Sequence, residues 1–97
     1  MKNNKNVEII DNSDMYCSAF LIASGYPPQS HINNHGIVTF NFAKTEEVEL
    51  LLDKYYSLQG TVTPALFVSA IKSLKSIIYK DKNKEPYNKN DGYKWNR

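Results

Sequence analysis

The run from Thr63 to Tyr79 constrains this chain more than any other segment. Phe67, Ala70, Ile71, Leu74, Ile77 and Ile78 recur at helical spacing. Thr63 stands where an N-cap is wanted, and Pro64 takes the first helical position, where a missing N–H costs nothing. The spacing predicts a helix with one apolar stripe that the rest of the chain must cover. After Tyr79 the sequence turns to Lys80-Asp81-Lys82-Asn83-Lys84-Glu85-Pro86 and runs on to Arg97 without apolar periodicity. The expected organisation is a single compact domain over residues 1–80 and a basic, aromatic C-terminal tail over 81–97.

With 97 residues, 41% of them hydrophobic, the chain can support one modest core and no second one. Charge divides at the end of the last helix. Six lysines oppose seven carboxylates in residues 1–79, whereas five lysines and Arg97 oppose only Asp81, Glu85 and Asp91 beyond it. Asparagine and lysine supply 22 of the 97 residues, a bias that AT-rich coding produces unaided, so part of the tail's lysine content carries no functional weight. A single cysteine, Cys17, offers neither a disulfide framework nor a set of thiolate ligands, which fits a reducing, cytoplasmic setting in a host cell. The apolar residues after the basic N-terminus stop at Ile10, too short for a signal-peptide core or a membrane span, so no membrane partner is expected.

The remaining elements follow from local pattern. Val7–Ile10 reads as a short edge strand, and Asp11-Asn12-Ser13-Asp14 as a turn that supplies an N-cap. Met15–Ser24 is apolar or small at nearly every position and ends before Gly25, predicting a short helix buried on most sides. Tyr26-Pro27-Pro28 cannot continue it. A hairpin of about 29–33 with 37–42 is centred on Asn33-Asn34-His35-Gly36, and puts Val38, Phe40 and Phe42 on one face, Thr39 and Asn41 on the other. Thr45 caps a helix that carries Glu46 and Glu47 in its first turn, repeats Val48, Leu51, Leu52 and Tyr55 on one side, and runs to about Ser57. The short link through Gly60 makes the last two helices neighbours on the sheet. The predicted fold is α+β: an antiparallel hairpin or three-stranded sheet packed against three helices, in the order β-α-β-β-α-α.

Several of these features taken together resemble a known family. Asp14-Met15-Tyr16 leading through Ala19 and Leu21 to Gly25-Tyr26, then Val38-Thr39-Phe40-Asn41-Phe42, Leu51-Leu52 to Tyr55-Tyr56, and Phe67, Ala70, Leu74-Lys75 to Ile78-Tyr79 resemble a family of small bacterial phage and mobile-element proteins classed as a domain of unknown function. The resemblance spans about residues 13–80 and leaves out the tail. Its motifs are core positions, so it implies a fold and an accessory role in a phage or mobile element. It carries over no catalytic or ligand residue.

The candidate binding residues are Lys72, Lys75 and Tyr79 on the last helix, followed by Lys82, Lys84, Tyr87, Lys89, Tyr93, Lys94, Trp95 and Arg97. Lysines offset phosphate charge and exposed rings stack on unpaired bases, so this composition suits nucleic acid or an acidic partner surface. The plain alternative is a solvated terminus beside an ordinary lysine-bearing helix face. A second function class is a protein–protein inhibitor or assembly factor of anti-defence type, with Tyr55, Tyr56, Tyr87 and Trp95 anchoring a host or phage protein or a second copy. A third is a homo-oligomer that sequesters a small ligand such as a nucleotide signal.

Catalysis has little sequence support. Glu46, Glu49 and Asp53 form an acidic stripe at i, i+3 and i+7, but with no histidine or glycine-rich loop beside it they suit docking to a basic partner better than acid–base chemistry. His31 and His35 lack the helical spacing that presents two imidazoles to one ion, and no third ligand follows by spacing, so no metal and no cofactor are expected. Cys17 reads as a small buried hydrophobe. The expected class is a non-enzymatic binding module.

Overall fold

The computed structural model describes residues 8–82. Its elements are β1 (Ile9–Asn12), α1 (Met15–Ala23), β2 (Ser30–Asn34), β3 (Ile37–Ala43), α2 (Glu46–Tyr56) and α3 (Pro64–Lys82). The three strands form one antiparallel sheet in the order β1-β3-β2, which gives the α+β fold in the predicted β-α-β-β-α-α sequence.

β3 is central because its alternation is the strongest in the chain. Val38, Phe40 and Phe42 are buried toward the helices, opposite Asn33, His31 and Ile10 respectively. His31 meets the Phe40 ring at a centroid distance of 5.8 Å. The other face carries a polar ladder in which the buried Asn41 joins both edge strands. Its Nδ2 donates to Asp11 Oδ1 at 2.7 Å and its Oδ1 accepts from Ser30 Oγ at 2.9 Å. The β2–β3 turn places His35 and Gly36 at φ 56° and 89°, the positive pair that a two-residue type I′ hairpin requires, and Asn33 Oδ1 accepts the Gly36 N–H.

α1 is the centre of the core. Cys17, Ser18, Ala19, Phe20 and Leu21 are all buried, and five consecutive residues go more than once round a helix, so this stretch is enclosed on every side. Asp14 caps it by accepting the N–H groups of Tyr16 and Cys17. One apolar cluster then joins α1 to Val38, Phe40 and Phe42 of β3, Val48 of α2, and Ala70 and Leu74 of α3. Small buried residues on both helices, Ser18 and Ala19 of α1 and Ala70 of α3, suit the close approach that α1 and α3 make.

Three expectations are corrected. α2 and α3 are not principally each other's neighbours: both pack on α1, more closely for α3, because the largely apolar α1 offers the larger surface to cover. Thr63 starts α3 with its backbone carbonyl, which accepts from Leu66 and Phe67, rather than with its hydroxyl. β1 extends through Asp11 and Asn12, which read as turn formers. Asp11 is held by the cross-strand bond to Asn41, and Asn12 Oδ1 accepts the Asp14 N–H.

α1 and α2 end in the same way on different residues. After α1, Tyr26 N–H reaches Leu21 O and Gly25 N–H reaches Ile22 O, with Gly25 at φ 104°. After α2, Gln59 N–H reaches Lys54 O and Leu58 N–H reaches Tyr55 O, with Leu58 at φ 65°. Both are Schellman closures, and only the first uses the glycine that the left-handed position favours.

Candidate interaction surface

The predicted binding helix is long enough to present a continuous face. Along α3 the core side is Phe67, Ala70, Ile71, Leu74, Ile77 and Ile78, and turning away from it come Ala65, Val68, Lys72, Lys75 and Lys80, all exposed. Between Pro64 and Lys80 there are three lysines and no carboxylate. None of the three forms an ion pair among the described residues, where both ion pairs belong to Lys44, at 3.2 Å from Glu8 and 3.7 Å from Glu49. Lys44 is itself held above its ordinary pKa, first by the hydrogen bond to Glu8 and then by the two negative charges.

The lysines adjoin apolar surface. Pro64, Ala65, Val68, Ser69 and Lys72 border an open cleft of about 470 Å³, so that Lys72 adjoins a largely aliphatic floor. Lys72 and Lys75 thus stand where the sequence predicts, on one exposed face. Tyr79 is half-buried and makes interactions of its own, so it belongs to the edge of that face rather than its centre. Lys82 ends α3, its side chain outside the described residues; Lys84, Tyr87, Lys89, Tyr93, Lys94, Trp95 and Arg97 also lie outside them.

The two tyrosines of α2 behave differently. Tyr55, expected as an exposed anchor, is half-buried: its ring sits 5.5 Å from Phe20 and 5.2 Å edge-on from Tyr56. Burial raises its pKa, with the Asp14 charge adding to the effect. Tyr56 is exposed, yet its hydroxyl is pushed up to about 12 by a hydrogen bond to Cys17, then by partial burial and nearby negative charge. Cys17 is fully buried, the setting of a structural thiol rather than a nucleophile.

A second apolar groove, about 320 Å³, lies where α1, α2 and the α2–α3 connection meet, and is lined by Phe20, Tyr55, Leu58, Gly60, Val62 and Phe67. Leu58, at its rim, is 90% exposed. The acidic stripe of α2 surrounds another exposed leucine: Leu50, 57% exposed, projects between Glu46 and Asp53. Sequence reading misses Leu50, Leu58 and Val68 because they fall off the periodic stripe. Their signal is being large, apolar and out of phase with the core.

No three His, Cys, Asp or Glu side chains among the described residues converge to hold a metal ion, and no helix there is long and apolar enough to cross a membrane. The chain matches no protein-family model, no curated protein and no solved structure.

Proposed function

We propose that this chain is a non-enzymatic binding module that docks an acidic protein partner on the outward face of α3, in the phage or mobile-element setting that the resemblance over residues 13–80 implies. The observation that carries the reading is the juxtaposition of Lys72, Lys75 and Lys80, without carboxylate partners among the described residues, and the aliphatic floor of Pro64, Ala65 and Val68 on the same helix. A phosphate backbone has use for the lysines alone. A protein surface uses both, since interface cores are apolar and their charged rims govern encounter. Beyond Lys80 the sequence carries five more cations, Lys82, Lys84, Lys89, Lys94 and Arg97, against three carboxylates.

The test compares the wild-type chain with Lys72→Glu/Lys75→Glu as baits in nuclease-treated host lysate, alongside titration of single- and double-stranded oligonucleotides. A protein captured by the wild type and lost with the variant supports the reading. Capture indifferent to the substitutions overturns it, and tight oligonucleotide binding with a steep salt dependence replaces it with nucleic-acid binding.

A further inference from the structure

The face of α3 has a complement on the same molecule. α2 carries four carboxylates against one lysine, and on its solvent side Glu46, Leu50 and Asp53 follow one another at i, i+4 and i+7, with the apolar Leu50 between two acids. α3 carries the opposite charge: Val68, Lys72 and Lys75 stand at i, i+4 and i+7, with both cations on the C-terminal side of the apolar position. Val68 is 49% exposed and borders the cleft with Pro64, Ala65, Ser69 and Lys72. Leu50 and Glu46 lie about 6 Å apart along their helix axis, and so do Val68 and Lys72, because four residues at about 1.5 Å each separate both pairs. With the two helices antiparallel, a leucine seated in the α3 cleft at Val68 therefore brings Glu46 level with Lys72, while Asp53 falls on the other side of the leucine.

From this match we infer that the partner of the α3 face is a second copy of this chain, whose α2 docks antiparallel to α3 with Leu50 in the cleft at Pro64, Ala65 and Val68 and with Glu46 facing Lys72. The inference rests on the reading of α3 as a docking face and names an occupant for it. Glu49 is not needed for the contact, since it already neighbours Lys44 within its own chain. Neither helix has to rearrange: Leu50, Val68, Lys72 and Lys75 are all exposed in the single chain. Two different faces meet, so the contact is heterologous, and it closes into a dimer or ring only where the geometry lets both faces of each copy engage.

The experiment is sedimentation or light-scattering mass across protein concentration at about 20 mM and about 500 mM salt, on the full chain. The expected wild-type result is a mass above the monomer that rises with concentration and falls with salt. Lys72→Glu and Glu46→Lys should each weaken self-association about tenfold or more, and mixing the two should restore it, because each reversed charge then meets its opposite. Leu50→Ser tests the apolar contact without changing charge and should weaken association at both salt concentrations. A chain that stays monomeric at low salt and high concentration, or associates equally well in every variant, overturns the inference. If the chain is monomeric while a foreign protein still depends on Lys72 and Lys75, only the self-docking fails. If the lysines matter to neither, the docking face itself is lost.

Discussion

Gly60 lies against the ring of Phe20 so closely that a Cβ on it would stand 2.7 Å from both Cε1 and Cζ. Phe20 is buried, and Tyr55 packs on its ring at 5.5 Å. Gly60→Ala therefore forces either the ring or the α2–α3 connection to move, at a cost of about 1–3 kcal/mol, the usual range for overpacking a filled core. Chemical denaturation should show a lower midpoint with an unchanged slope. Pairing Gly60→Ala with Phe20→Leu should cost less than the two separate losses added together. Full additivity would mean that the close approach is not what Gly60 provides.

Leu58 holds a left-handed conformation at φ 65° while its side chain is 90% exposed. The position closes α2 as Gly25 closes α1, so the residue bears the steric penalty of that region without burying much surface in return. Leu58→Gly should raise stability by about 1 kcal/mol, the glycine's own flexibility offsetting part of the relief. A destabilised variant in thermal or urea unfolding would show that the leucine side chain contributes more at the groove rim than its exposure suggests.

Most of the architecture was legible because local chemistry and tertiary demand agree. Gly25 after an unbroken apolar run, Thr45 ahead of two glutamates, and the alternation of Val38, Phe40 and Phe42 each specify an element and its boundary together. The reading failed where a side chain serves a distant partner. Asp11 and Asn12 carry turn chemistry, but Asp11 is held in a strand by Asn41, thirty residues away. The order of helix packing was hidden for a related reason: a helix largely apolar all round gives no phase to show which neighbour covers which face. Of the candidate surface, Lys72 and Lys75 could be read from their phase on α3. Leu50 and Val68 could not, because an apolar residue off the stripe gains meaning only when its exposure is known.

Ser18 is fully buried in α1, and its Oγ meets no hydrogen-bond partner among the described residues. A hydroxyl taken out of water without a partner costs about 1–3 kcal/mol, and alanine keeps the close α1–α3 approach while removing that group. Ser18→Ala should therefore stabilise the fold by about 1 kcal/mol, read as a higher denaturation midpoint. A loss of stability would reveal a partner for the hydroxyl, most simply a bound water detectable in a high-resolution crystal structure.

Tyr56 is exposed, yet its phenol is held above its ordinary pKa. Hydrogen bonding to Cys17, partial burial and the Asp14 charge together favour the neutral phenol and push its pKa from 10.0 to about 12 in the folded chain. A group whose folded pKa is raised binds its proton more tightly in the fold, so its contribution is complete below pH 10 and is lost as pH climbs through about 12. Stability should fall across that alkaline window, and ultraviolet titration of the native chain should show a tyrosine ionising late. Tyr55, raised chiefly by burial, adds to the fall in the same direction, so Tyr56→Phe should flatten the slope without abolishing it. An unchanged slope in Tyr56→Phe, with all phenols titrating near 10, would mean that the fold does not raise the Tyr56 phenol in solution.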